Sequence, residues 1–138
     1  MGVTYDFGAL GGRFAKRRTK LRAPFAGDAA QVVSERLGVS LAPSTAMFFN
    51  HFDGFPAYTY DATTQYRIWT LEEIVAETEQ QHKILPRTSF ADFLIESSRL
   101  SFDLSQEISP IICEGEGVIA SSFLDFVTRL SLGEYDWL

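Results

Sequence analysis

Apolar residues recur along this chain with two periods, and the switches between them mark out its elements. Ala29, Val32, Val33 and Leu37 fall on one helical face; Asp28 is placed to cap that helix and Gly38 to stop it in the left-handed region. Pro43 or Ser44 starts a second short helix carrying Thr45, Phe48, Phe49 and Phe52, which Asp53-Gly54 ends. Phe55 to Asp61 alternates imperfectly and carries two tyrosines, which predicts a strand pairing with Tyr66 to Trp69 across the loop 62–65. Thr70 and Glu73 form a capping box ahead of Leu71, Ile74, Val75 and Thr78, so a helix should run to about Gln81 and end before Pro86.

The stretch from Ser89 to Ile95 supports two readings. Ser89 and Asp92 resemble a second capping pair, whereas Phe90 to Ile95 has the short apolar character of a buried strand. Arg99 to Leu104 alternates clearly, with Leu100, Phe102 and Leu104 on one face, and Ile108 to Glu114 is a further strand candidate. Gly115 and Gly117 mark a turn before Val118, and Ser121 or Ser122 caps a last helix with Phe123, Phe126, Val127 and Leu130 inward. This order predicts an α+β fold, a largely antiparallel sheet with helices packed on one face.

Composition adds that one core suffices. The chain has 138 residues, 46% of them hydrophobic, with 12 Phe, 5 Tyr and 2 Trp, the size of a single domain. Cys113 stands alone, which excludes an internal disulfide and suits a reducing compartment. No apolar run approaches the roughly 20 residues of a bilayer span, and the start lacks the charge-then-apolar order of a signal peptide. A cytoplasmic protein without membrane contact is expected.

Charge divides the chain. Residues 1–36 hold seven Lys/Arg against three acids, a balance of +4, which leaves −10 on residues 37–138. The basic run RFAKRRTKLR (13–22) reads either as a nucleic-acid arm or as a solvated, Gly-flanked extension that folds weakly or lies against the acidic body. Residues 1–27 are taken as a basic N-terminal extension and 28–138 as the folded domain. The acidic remainder should repel nucleic acid and attract a basic protein.

Few residues offer catalysis. His51, His82 and Cys113 are the only nitrogen or sulfur ligands, so no metal set and no cofactor are expected; His51 and Asp53 would give two ligands at most. There is no GxSxG elbow, and Gly8, Gly11 and Gly12 lack the lysine of a phosphate loop. The best enzyme case is a convergence of Asp53, Asp61, Asp92 and Asp103, against which stands the ordinary preference of Asp for turns. Partner binding is better supported. Glu77 follows Glu73 by four residues and has no basic partner on its own helix, while Glu79 has Lys83. Acids recur at Asp92, Glu96, Asp103, Glu107, Glu114 and Glu116. Tyrosine beside carboxylate suits a desolvated polar interface, so the candidate partner contacts are Phe55, Tyr58, Tyr60, Asp61, Glu72, Glu73 and Glu77.

Several segments, in order, resemble the SUKH superfamily of bacterial immunity proteins and relatives of a yeast cell-wall-synthesis regulator. They are Leu37-Gly38, Leu41-Ala42-Pro43 with Phe48-Phe49, Asp53-Gly54, Trp69 leading into Leu71-Glu72-Glu73-Ile74, Phe90 to Ile95, Phe102-Asp103-Leu104, and Ile119 to Phe126. The resemblance covers roughly residues 28–132, with Ala42 interrupting the usual Leu-Pro and the basic leader outside the pattern. It implies that Phe90 to Ile95 is strand, and a non-enzymatic module. Many bacterial members neutralise a cognate toxin by stoichiometric binding, often a nuclease or deaminase delivered by neighbouring cells, in polymorphic toxin systems. The expectation is therefore an immunity protein. The alternatives are a regulatory or scaffold adaptor of the same fold, or a carboxylate-based metal-dependent hydrolase.

Overall fold

A computed structural model of the chain describes residues 6–81, 87–93 and 97–134. Among them lie helices α1 (Phe7–Lys16), α2 (Ala29–Leu37), α3 (Pro43–His51), α4 (Leu71–Gln80) and α5 (Phe123–Ser131). The strands are β1 (Tyr66–Ile68), β2 (Arg87–Phe93), β3 (Ser98–Asp103), β4 (Ile111–Cys113) and β5 (Gly117–Ala120). The strands form one antiparallel sheet in sequence order, a meander that needs no crossover. The fold is mixed α+β, as expected. None of its described helices is long and apolar enough to cross a membrane.

The caps anticipated from sequence are present. Asp28 accepts from the amides of Ala30 and Gln31, Gly38 ends α2 at φ 72°, and Ser122 accepts from the Asp125 amide. Thr70 and Glu73 exchange both bonds of a capping box.

One face of the sheet is aromatic. Phe123 of α5 stacks on Phe102 at 5.3 Å and meets Phe48 of α3 edge-on at 5.2 Å. Phe126 sits edge-on to Phe90 and Tyr66 at 5.6 and 5.5 Å. Burial of each such side chain contributes roughly 1.5–3 kcal/mol, so this aromatic cluster holds α3 and α5 to the sheet. Helix α4 packs against β2 and α2. The ambiguity at Ser89–Ile95 resolves as strand through Phe93; Leu94 and Ile95 lie outside the described residues. A register shift at Phe90 sets Asp92 opposite Arg99; continued pairing without the shift would have set Ser98 there.

Two expectations are corrected. Residues 55–61 are not a strand. Backbone-to-backbone, only their ends bond to β1, through Phe55 N–H to Ile68 O and Asp61 N–H to Tyr66 O, both 2.9 Å. Tyr58 between them has φ 58°, a left-handed conformation that breaks extension. The leader is likewise no loose extension. Phe7, Leu10 and Phe14, spaced three and four apart, put one face of α1 into the main core, with Phe14 edge-on to Phe55 at 5.8 Å. A Cβ at Gly11 would lie 2.7 Å from the Phe52 ring, so glycine permits that approach. The chain then runs along residues 49–54, joined by Arg22 N–H to Gly54 O, Asp53 N–H to Ala23 O and Phe25 N–H to Phe49 O. The boundary drawn at 27/28 therefore does not separate a core from a tail.

Candidate functional site

The second face of the sheet is polar, because strand side chains alternate. Tyr66 and Ile68 turn to the aromatic core, leaving Arg67 and Trp69 on the other side. Register places Arg67 opposite Asp92 and Asp92 opposite Arg99, a row of alternating charge across three strands. Residues 57–60 and one flank of α4 wall the row in, enclosing a cleft of about 340 Å³, within the size range of ligand pockets.

Each charge in the row is tied down. Arg67, 4% exposed, donates to Pro56 O at 2.9 Å and Phe55 O at 3.1 Å, and to Glu73 at 3.1 and 2.5 Å. This holds the 55–56 loop to the start of α4. Asp92, 1% exposed, accepts from Trp69 Nε1 at 2.7 Å and from the Tyr60 hydroxyl. Arg99 lies 5.3 Å from the Trp69 ring centroid and donates to Glu77 at 2.6 Å. Burial raises the Glu73 carboxyl, but hydrogen bonds from Arg67 and Thr70 outweigh it and hold Glu73 below its ordinary range. The floor is buried at Arg67 and Asp92 and partly exposed at Glu73, Arg99 and Glu77, with an open rim at Tyr58, which is 91% exposed.

Four of the seven anticipated contacts, Tyr58, Tyr60, Glu73 and Glu77, line this cleft. Glu72 lies outside its lining, paired with Arg36 of α2 at 2.6 Å. Two are corrected. Phe55 is fully buried in the core, so its side chain offers nothing to a partner. Asp61 is fully buried too, binding Arg17 at 2.6 Å, the Thr19 hydroxyl, and the Thr64 amide and hydroxyl at 2.7 Å each. Burial raises the Asp61 carboxyl, yet these bonds prevail and lower it overall.

Helix α4 itself offers Glu77 no basic residue, and Arg99 of β3 compensates it from the sheet. Arg36 reaches Glu79 at 2.5 Å; Lys83, its anticipated partner, lies outside the described residues, as do His82 and Glu96. Sequence reasoning missed Arg67 and Arg99. Their signal was present: Arg67 sits between Tyr66 and Ile68, and Arg99 precedes an alternating run, so each falls on the face opposite the core.

The four aspartates of the enzyme reading serve separate local networks. Asp53 accepts from the Leu71 amide at the head of α4, and Asp103 from Ser105 in a turn, while Asp61 and Asp92 bind as above. Among the described residues, no three His, Cys, Asp or Glu come together to hold a metal. The Cys113 thiol is pushed up by burial and by the charge of Glu116, which disfavours the thiolate.

The fold and cleft thus define a small α+β domain with a preorganised, charged concavity. Comparison with protein-family models and with curated proteins found no match.

Proposed function

We propose that this domain works by binding a macromolecule, as an immunity-type protein that neutralises a toxic partner by stoichiometric contact at the Tyr58 rim. The observation that carries this reading is an aromatic side chain held 91% exposed, in left-handed backbone, over a floor whose charges are already paired. A tyrosine has only two side-chain torsions to lose on docking, and exposed tyrosines are favoured as interface anchors. The excess of acid over residues 37–138 supports a basic partner, and charge of this kind acts mainly on association rate. The immunity reading also rests on the sequence segments that resemble the SUKH superfamily, which run from α2 to α5.

The test is co-expression with the toxic product of the adjacent reading frame, followed by affinity measurement on the purified pair. Protection of growth is expected, with Tyr58→Ala weakening binding by about 30-fold, as for an interface anchor. Glu72→Lys, which leaves the capping box intact, should slow association and flatten its salt dependence. Unchanged affinity in Tyr58→Ala would remove this rim as the contact surface, and an unchanged association rate in Glu72→Lys would remove the charge on α4 from the encounter.

A further inference from the structure

We propose that the basic stretch following α1, with the groove beside it, docks an acidic, extended segment of another protein. Between Arg17 and Arg22 the side chains divide by parity. Arg17 and Thr19 turn inward to Asp61, and Leu21 packs against the core. Arg18, Lys20 and Arg22 are left exposed, with Lys16 exposed at the end of α1. Among the described residues, Lys16, Arg18 and Lys20 form no ion pair, and half-exposed Arg22 comes only to 3.9 Å from Asp53. In extended chain, alternate side chains recur about 6.6–6.8 Å apart. Arg18 lies in the turn that ends α1, with φ 61°, and an extended acidic partner presenting carboxylates at this repeat would meet Lys20 and Arg22 beyond it.

Thr19, Leu21 and Arg22 of this stretch also line a groove of about 500 Å³. Gly8, Gly11 and Ala15 of α1 form one wall, Leu21 and Pro24 the other, and Phe52 closes it. Small residues and apolar walls fit an apolar side chain, and Arg22 in the lining sets a cation beside it. Charge decides between the two anionic partners such a surface could take. A long polyanion would meet the repulsion of the acidic body, whereas screening over roughly 8–10 Å leaves a short acidic segment to feel the local cations.

Fluorescence anisotropy with the full chain tests this, using a labelled short peptide alternating Glu and Leu, and a single-stranded oligonucleotide of equal charge. Saturable peptide binding that weakens with added salt is expected. Arg18→Glu with Lys20→Glu should lower peptide affinity about tenfold or more. Their side chains make no hydrogen bond among the described residues, so the melting temperature should hold. Ala15→Trp, at an exposed position, should block the groove and lower affinity with the charges intact. Equal peptide affinity in the wild type and the charge-reversed variant, or tighter binding of the oligonucleotide than of the peptide, would overturn the proposal.

Discussion

Asp61 shows how one residue joins distant parts of the chain. Its carboxylate is buried and takes bonds from Arg17 and Thr19 on one side and Thr64 on the other, while Arg17 also donates to Leu130 O at 2.5 Å. The leader, the 61–65 turn and the end of α5 thus meet at two side chains. Gly133 contributes by absence, because a Cβ there would come 2.9 Å from Arg17 Nε. Because the folded carboxyl is held below its ordinary value, its stabilisation is fully present above about pH 4 and is lost as pH falls through the folded value. Asp61→Asn should cost about 3 kcal/mol at pH 7, since it leaves the Arg17 charge without its partner. Urea denaturation at pH 7 and pH 3 checks the sign: the gap between wild type and variant should shrink at the lower pH. A gap that is independent of pH would assign the cost to shape alone.

At the scale of elements, α4 is the hinge between the fold and the cleft. Its capping box fixes where the helix starts, and the same Glu73 that closes the box grips Arg67 in the row. Thr70→Ala should therefore cost about 1 kcal/mol from the cap, and should also loosen the Arg67 grip on the 55–56 loop. Thermal melts report the first effect. Limited proteolysis near Tyr58 reports the second, and unchanged cleavage there would uncouple helix from loop. The start of α4 was legible because a capping box is local, and β3 because Leu100, Phe102 and Leu104 alternate without interruption. The 55–61 loop was not, because a left-handed Tyr58 leaves no mark on the hydrophobic pattern. Helix α1 carried its apolar signal at Phe7, Leu10 and Phe14, but Gly8, Gly11 and Gly12 argue against helix locally, and packing on Phe52 overrides them. Of the anticipated contacts, Tyr58, Tyr60, Glu73 and Glu77 converge because they flank one strand. Phe55 and Asp61 differ because an aromatic or an acid looks the same in sequence whether it faces solvent or core.

The molecule as a whole is a dipole folded on itself, with a basic leader closed against an acidic body, and its cooperativity depends on that closure. If α1 were a separate unit, it could fray while the sheet stayed intact. Its contacts argue otherwise: Phe14 reaches Phe55, Arg13 donates to Ser131 Oγ at 2.9 Å, and Arg17 spans to Asp61. Phe14→Ala removes a fully buried ring and should cost about 3–5 kcal/mol. That is a large share of the roughly 5–15 kcal/mol by which domains of this kind are stable. Where the cost appears is the informative part. In one cooperative unit, the slowest amides of β2 and β3 exchange only through global opening, so their protection should fall by the same free energy as that measured by denaturant. Native-state hydrogen exchange on wild type and Phe14→Ala makes the comparison. Loss of protection confined to α1, with β2 and β3 unchanged, would mean that the leader opens on its own. Equal loss would mean that any event releasing the leader also unsettles the Arg67–Asp92–Arg99 row, so the basic stretch and the Tyr58 rim share one stability.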